Sequence, residues 1–279
     1  MFLADYHVHS SCSFDADDRM VNMARSELAR GITEVCFTDH VDFGDQQTMQ
    51  IGPERFQLPK SQVRQFIDAM EKAPEGIEIR LGLELGQGNH DPARAKRIYA
   101  MPEYDFILGS LHNLRGERDF YYLEYESEEQ CHELYARYLD ELIELAGLGC
   151  FDCMAHIGYC LRYMHKQGID AAVTMDRYGD RVDVLLRTLI ENGKGIELNV
   201  ADLVPGGRED PLLQPFPGLD VLRRYRELGG DIIPVGSDAH NVRAAGVGIR
   251  EGFELLAGCG FRYVAVYRRH KPEFKRIEL

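Results

Sequence analysis

The chain has 279 residues, of which 44% are hydrophobic and 28% charged, and its formal net charge is -14. This acidic balance opposes binding to a nucleic-acid backbone, and no apolar run approaches the ~20 residues that span a bilayer. The N-terminus lacks the basic and apolar segments of a signal peptide. We therefore expect a soluble, cytoplasmic protein with no nucleic-acid or membrane partner.

The cysteines, seven in all, are odd in number and lie mostly in apolar segments. This usage favours buried thiols in a reducing compartment over disulfides. Cys150 and Cys153 form a single C-x-x-C pair. Because a structural zinc site usually needs a second pair, core packing is the simpler interpretation.

Short apolar runs, typical of buried parallel strands, recur along the chain. Segments with helical apolar spacing lie between them, and Gly31, Gly147, Gly193 and Gly229 are placed as helix stop signals. The predicted strands are Phe2–His9, Glu34–His40, Ile77–Gly86, Phe106–His112, Phe151–Tyr159, Gly195–Val200, Ile232–His240 and Arg262–Tyr267. The predicted helices are Met20–Arg30, Gln57–Glu71, Pro92–Tyr99, Ser127–Ala146, Met175–Glu191, Leu219–Leu228 and Val242–Ala257.

This alternation of strands and helices predicts an α/β fold with a parallel sheet. Composition is even and no long linker or repeat interrupts the chain, so residues 1–279 are expected to form a single domain. The periodicity does not decide whether the sheet closes into a β/α barrel or stays open and doubly wound.

Histidines and acids lie at or near the carboxyl ends of six predicted strands, where β/α folds gather functional groups. On a strand, residues i and i+2 point to the same face about 6–7 Å apart, so His7 with His9, and Asp238 with His240, each aim two groups into one cavity. A lone histidine in such a place is more often a core or loop residue. The matching positions together favour a metal site, and they are His7, His9, His40, Glu84, His112, His156, Asp238 and His240.

Four further histidines lack this placement and are interpreted as ordinary surface or core residues: His90, His132, His165 and His270. Mixed imidazole and carboxylate ligands favour zinc, manganese or iron over calcium. The sequence does not separate these three metals.

Six motifs, taken together and in this order, resemble the polymerase and histidinol phosphatase (PHP) family, and most of all its monofunctional histidinol-phosphatase branch. They are DYHVHS at 5–10, TDH at 38–40, GLELG at 82–86, GSLH at 109–112, AHIGY at 155–159 and GSDAH at 236–240. The fold that the resemblance implies is a distorted seven-stranded β/α barrel, (β/α)7, with two or three divalent metal ions as cofactors.

By this resemblance, His7, His9, Glu84 and Asp238 hold one metal, and Glu84 bridges to a second metal bound by His112 and His156. His40 and His240 hold a third metal. The remaining ligand of the third site is often histidine in the family, whereas the matching position here is Asp15, with Asp17 or Asp18 as alternatives. Asp39 is left open between an outer-shell partner, a ligand and a turn residue.

The implied activity is hydrolysis of L-histidinol phosphate to L-histidinol and inorganic phosphate in histidine biosynthesis, by attack of a hydroxide that bridges two metals. Arg162 and Arg208 are the expected phosphate contacts, with Arg115 a weaker third choice. Asp238, His240 or a metal-bound water is the expected proton donor to the leaving group.

The rest of this substrate carries an amine and an imidazole. Asp42, Glu117 and Asp119 are candidate partners of the amine, and Tyr121, Tyr122 and Tyr125 are candidate pocket walls, although aromatics before a helix more often serve packing.

Three rival functions stay open from the sequence. A PHP phosphatase of nucleotides or other small phosphomonoesters is the main alternative, and a non-catalytic metal-binding barrel is another. A metal-dependent amidase or deaminase is the least favoured, because it usually wants a lysine between the metals where this chain has Glu84. Oligomeric state is not indicated.

Overall fold

The computed structural model describes residues 1–43, 58–169, 171, 173–203 and 215–278. Its strands are β1 (Ala4–Val8), β2 (Glu34–Asp42), β3 (Glu78–Gly86), β4 (Phe106–Ser110), β5 (Cys153–Met154), β6 (Gly195–Ile196), β7 (Leu198–Asn199), β8 (Val235–Gly236), β9 (Tyr263–Arg268) and β10 (Lys271–Arg276). Its α-helices are α1 (Met20–Ala29), α2 (Leu58–Lys72), α3 (Pro92–Tyr99), α4 (Glu128–Leu148), α5 (Tyr159–Lys166), α6 (Met175–Glu191), α7 (Leu219–Glu227) and α8 (Ile249–Gly258).

Strands β1 to β6 form one parallel sheet in chain order, and β7 pairs in parallel with β8. Backbone bonds also join β1 to the segment after β8: the N–H of His9 donates to Ala239 O at 2.9 Å, and the N–H of Asp238 donates to His7 O at 2.7 Å. The predicted α/β class with a curled parallel sheet is therefore confirmed. The count of seven barrel strands stays a prediction.

Two hydrophobic clusters hold the layers together. The larger one packs the helices onto the sheet, and burial of its aliphatic side chains supplies most of the driving force for folding. The smaller one packs strand residues such as Tyr6, Phe106 and Cys153 against Val266 and Tyr267 of β9.

The prediction that the last strand, Arg262–Tyr267, belongs to the parallel sheet is wrong. β9 does not join the parallel sheet but forms an antiparallel pair with β10, which was not predicted. Arg269 and His270 turn the chain between the two strands with φ of 48° and 62°. Neither is glycine or asparagine, so the usual sequence signal of a hairpin turn is missing here.

Several helix boundaries also differ. The predicted helix Val242–Ala257 begins only at Ile249, because Gly246 and Gly248 have φ of 73° and 81°, which an α-helix does not accommodate. Helix α4 passes through the predicted stop at Gly147 and is capped by Gly149 in the left-handed conformation. Helix α5 was missed although α3, of equal length, was predicted. Helix α3 begins with Asp91 as its cap and Pro92, whereas α5 follows Gly158 and has no side-chain cap that would signal its start.

All seven cysteines are free thiols, and six of them are buried, as expected. Within the described part of the chain, no helix combines the length and apolar character needed to cross a bilayer.

Candidate metal centre

Eight side chains from six different strand ends converge at one end of the parallel sheet. They form four overlapping groups in which the ligand atoms lie within 4.8 Å of one another. These are the residues singled out from the sequence: His7, His9, His40, Glu84, His112, His156, Asp238 and His240.

Glu84 lies at the centre of this cluster because β3 is a central strand, in register with β2 so that His40 and Glu84 are neighbours. One carboxylate oxygen, Oε2, lies 3.2 Å from Nε2 of His7 and 3.1 Å from Nδ1 of His40. The other, Oε1, lies 3.1 Å from Nε2 of His112 and 2.8 Å from Nε2 of His156. A single carboxylate thus faces two sets of imidazoles.

Asp238 completes the side of the cluster that contains His7 and His9. Its Oδ1 lies 3.6 Å from Nε2 of His7 and 3.4 Å from Nε2 of His9. The backbones of Asp238 and His156 have φ of 54° and 24°. Such conformations cost about 1–3 kcal/mol for a non-glycine residue and are concentrated at functional sites.

Several nitrogen and oxygen atoms of the cluster are buried and have no hydrogen-bond partner. Nε2 of His7 and Nε2 of His9 lie 3.2 Å and 3.5 Å from Oε2 of Glu84, yet none of these three atoms makes a hydrogen bond. Leaving a buried polar atom unpaired costs about 1–3 kcal/mol, so such a convergence calls for a bound group. Imidazole nitrogens and carboxylate oxygens fit a divalent cation such as zinc, manganese or iron.

Asp15 meets His40 and His240 at the outer edge of the cluster. Its Oδ2 lies 3.1 Å from Nε2 of His240 and 3.6 Å from Nε2 of His40. Of the alternatives, Asp18 instead accepts a hydrogen bond from the backbone N–H of Val242 at 2.9 Å. The geometry thus brings Asp15, and not Asp18, to this histidine pair.

Two buried acids behind the cluster were not assigned there from the sequence. Glu197 accepts from Nδ1 of His7 at 2.7 Å and from the backbone N–H of His156 at 2.8 Å. Asp42 contacts Nδ1 of His112 at 2.9 Å and Nδ1 of His40 at 3.3 Å. Bonds of this kind orient an imidazole and fix which nitrogen faces a metal.

The role considered for Asp42 as a partner of the substrate amine is therefore wrong, because its carboxylate is buried behind His112. Two signals in the sequence could have found these acids. Asp42 follows His40 by two residues on a strand, and Glu197 is the lone acid of the apolar run 195–200. Glycines at two neighbouring positions leave space for these carboxylates. A Cβ on Gly86 would overlap Asp42, and a Cβ on Gly236 would lie 2.2 Å from Glu197.

Asp39 supports His9 indirectly. Nδ1 of His9 lies 3.1 Å from Oγ of Ser13, which in turn donates to Asp39 at 2.9 Å. Asp39 also accepts from the backbone N–H of Ser10 at 2.6 Å. Of the roles left open for Asp39, the outer-shell partner fits these contacts.

Charges within the cluster shift its pKa values in opposite directions. Burial disfavours the imidazolium of His112, but Glu84 and Asp42 outweigh it and raise its pKa to about 10. Burial lowers the pKa of His9 to about 3, and the nearby His240 and His40 add to this effect. Without a cation, protons therefore occupy part of the cluster.

A cavity of about 390 Å³ opens onto the cluster, a volume suited to a small ligand. Besides the cluster residues and Asp15, its lining is mostly aromatic with one acid and one arginine: Phe14, Asp119, Tyr121, Tyr122, Tyr159, Arg162 and Tyr163. Tyr159 and Tyr163 were not predicted to line it; both belong to the missed helix α5.

The other candidates from the sequence have mixed outcomes. Arg208 lies outside the described residues. Arg115 pairs with Glu144 at 3.0 Å, and Glu117 pairs with Arg137 at 2.6 Å. Neither Arg115 nor Glu117 lines the cavity, so those two assignments are wrong.

Tyr125 is buried, and its hydroxyl donates to the carbonyl of Phe120 at 2.8 Å, so it serves packing. His90, His132 and His270 contact Glu141, Tyr178 and Asp152, respectively. None of these histidines, nor His165, is part of the cluster.

Comparison with known proteins places this site in a family. The chain matches the family described as "PHP domain" over residues 5–201, more than half of its length. The chain belongs to the PHP family.

Two curated relatives of this PHP protein match it over nearly its whole length. A protein named "Histidinol-phosphatase" from Lactococcus lactis subsp. lactis is 26% identical over 271 residues, 94% of this chain and 93% of the relative. One named "Probable histidinol-phosphatase" from Thermotoga maritima is 26% identical over 267 residues, 95% of each chain.

A solved structure is similar to this PHP protein in fold. It is histidinol phosphate phosphatase from Lactococcus lactis subsp. lactis Il1403, complexed with zinc, L-histidinol and phosphate. The TM-score is 0.73 at 24% sequence identity, over 97% of this chain and 98% of that chain.

Proposed function

We propose that this PHP protein is a metal-dependent phosphatase that hydrolyses L-histidinol phosphate to L-histidinol and inorganic phosphate. The observation that carries the proposal is the set of buried, unpaired imidazole and carboxylate atoms around Glu84, beside a cavity that Glu84 and Arg162 both line. The curated relatives named histidinol-phosphatase support the choice of substrate.

The residues fit two or three divalent ions, zinc, manganese or iron, which when bound supply positive charge for the phosphoryl oxygens and a hydroxide near neutral pH. His7, His9, Glu84 and Asp238 would hold one ion. Glu84, His112 and His156 would hold a second, and Asp15, His40 and His240 a third. Each set contains at least one carboxylate and one imidazole, as these metals prefer.

The protein's own groups position the substrate and move protons. Arg162 offers planar N–H donors that suit phosphate oxygens. The leaving alkoxide needs a proton, and Asp238 and His240 are the cluster's two partly exposed members, with side chains 10% and 28% exposed. We assign the proton donation to one of these two groups.

The outer part of the cavity suits a leaving group with a cation and a flat ring. Asp119 is buried, and its Oδ2 has no hydrogen-bond partner. A substrate ammonium would satisfy this oxygen, and the neighbouring rings of Tyr121, Tyr122 and Tyr163 offer faces for an imidazole. A nucleotide lacks the ammonium, which makes a nucleotide phosphatase the second candidate.

For the fold, we infer that β6 and β7, separated only by Glu197, act as one bent strand. With β8 beside β1, this gives the seven-stranded barrel expected for the family, formed by a single domain over residues 1–279. A closed barrel explains why ligands from the first and last strands meet. The cytoplasmic location and the lack of a nucleic-acid partner rest on charge and composition.

The test is phosphate release by the purified, manganese-reconstituted protein from L-histidinol phosphate, beside a panel of nucleotide and sugar phosphates. We expect efficient turnover of L-histidinol phosphate alone. Preference for a nucleotide would move the protein to the second candidate. No release from any substrate, despite bound metal, would refute the phosphatase function.

A further inference from the structure

Arg162 carries the only guanidinium or ammonium group among the described residues that line the cavity. It belongs to helix α5, and its side chain is only 12% exposed. A flexible arginine loses rotamer freedom on binding an anion, so holding it in place beforehand strengthens binding.

Four neighbours restrain this guanidinium. Nε donates to Oδ2 of Asp202 at 2.8 Å, and Nη2 lies 3.5 Å from Oδ1 of Asn199. The rings of Tyr159 and Phe216 lie 5.7 Å and 5.3 Å from the guanidinium carbon. The hydrogen bond to Asp202 is the shortest and the only one to a carboxylate, so it is the strongest restraint.

A second carboxylate competes for the same guanidinium. Nη1 of Arg162 lies 3.7 Å from Oδ2 of Asp238, a member of the metal cluster. Asp202, in contrast to Asp238, is not among the residues that line the cavity. Without Asp202, no other carboxylate would balance the attraction toward Asp238, and the weaker contacts with Asn199, Tyr159 and Phe216 would be left to hold the guanidinium away from the cluster.

We propose that Asp202 is a positioning residue, which holds Arg162 away from Asp238 so that its free N–H groups bind the substrate's phosphate. The inference rests on the proposed function in one respect, that the cavity receives a phosphoryl group. Asp202 itself touches neither substrate nor metal. Its loss should weaken anion binding without removing any metal ligand.

The experiment measures inorganic phosphate binding to the metal-loaded full chain by calorimetry, together with KM and kcat for L-histidinol phosphate. We expect Asp202→Ala to weaken phosphate binding ~10-fold and raise KM by a similar factor, the scale of one charge-assisted hydrogen bond. kcat should change less than about threefold, because uniform binding is lost. Metal content should be unchanged.

Asp140→Ala is the matched control, because Asp140 also pairs with an arginine, Arg181, at 3.0 Å, but on the exposed surface. It should leave both phosphate affinity and KM unchanged. Asp202→Asn, which keeps an oxygen acceptor, serves if the alanine variant fails to fold, and it should show a smaller loss in the same direction.

A double-mutant cycle decides whether Asp202 acts through Arg162. In an Arg162→Ala background, Asp202→Ala should have no further effect on phosphate affinity. A full additional loss there, or a loss of bound metal in the single variant, would overturn the proposal. Arg162→Ala alone having no effect would overturn it as well.

The phosphate arm separates this inference from the proposed function. If the wild-type protein binds phosphate but does not turn over L-histidinol phosphate, the proposed substrate is wrong while the positioning role is still tested by affinity. If the metal-loaded wild-type protein binds no phosphate, both proposals are overturned.

Discussion

Replacing Glu197 by glutamine should loosen the metal centre without removing a ligand. Glu197 is 1% exposed, and its two shortest hydrogen bonds come from Nδ1 of His7 at 2.7 Å and from the backbone N–H of His156 at 2.8 Å. A glutamine has one oxygen and one NH₂ group in their place. Whichever way the glutamine is oriented, its NH₂ group faces either Nδ1–H of His7 or the backbone N–H of His156, and that donor loses its acceptor.

The expected magnitude follows from that lost contact. An unsatisfied buried donor costs about 1–3 kcal/mol, and each 1.4 kcal/mol is a factor of ten in affinity. Mutation of such outer-shell partners typically costs 10–100-fold in metal affinity or activity. We therefore expect metal affinity to fall about 10- to 100-fold in Glu197→Gln.

The assay is a competition titration of bound zinc or manganese against a chelator, with metal content checked by elemental analysis. Glu254→Gln, at an exposed position of α8, is the control for the substitution itself. Circular dichroism should show that both variants fold. Metal affinity equal to that of the wild type in folded Glu197→Gln would refute the reasoning.

Three further predictions concern the same site. His9→Ala should lower phosphate release by about 100-fold or more, because it removes an imidazole of the cluster; unchanged turnover with full metal content would contradict this. Asp119→Asn should raise KM for L-histidinol phosphate about tenfold but not for p-nitrophenyl phosphate, which has no ammonium. Burial raises the pKa of Asp119 to about 6, so wild-type recognition should weaken as pH falls through 6, and an equally steep fall in the variant would exclude Asp119 as the cause. Metal affinity should weaken as pH falls below about 10, because Glu84 and Asp42 outweigh burial and raise the pKa of His112 to about 10, and bound metal must displace that proton. Calorimetry of metal binding in two buffers of different ionisation enthalpy should detect the released proton. A binding heat that is the same in both buffers would contradict this prediction.

The same shift has an opposite consequence for the metal-free protein. Because the pKa of His112 is raised in the folded state, its imidazolium stabilises the fold fully below the unfolded value of ~6.5. That stabilisation is lost as pH rises toward about 10. The contribution of His112 to the stability of the metal-free fold is therefore largest at low pH, where metal binding is weakest. Asp42 and His9, whose pKa values the fold lowers to about 2 and about 3, contribute with the opposite sign.

The candidate ligands could be predicted from strand positions in the sequence. In a parallel sheet, every strand ends at the same edge, so a histidine or acid at the end of each predicted strand is brought to one place whatever the details of packing. This is why the eight candidates at the strand ends could be named together from the sequence, whereas their division into separate metal sites came from the resemblance to the PHP family. The motifs that resemble the PHP family are short for the same reason, because each one covers the end of one predicted strand.

The groups that surround the candidate ligands could be found only from contacts between distant parts of the folded chain. Glu197 and Asp42 reach the histidines from other strands, and Asp202 meets Arg162 across the gap between a loop and a helix. The aromatic lining of the cavity includes Tyr159, which lies on α5, and no side-chain cap marks the start of that helix in the sequence. Such contacts join residues far apart in the chain, and a single sequence records residue types but not the distances that chain folding creates between them.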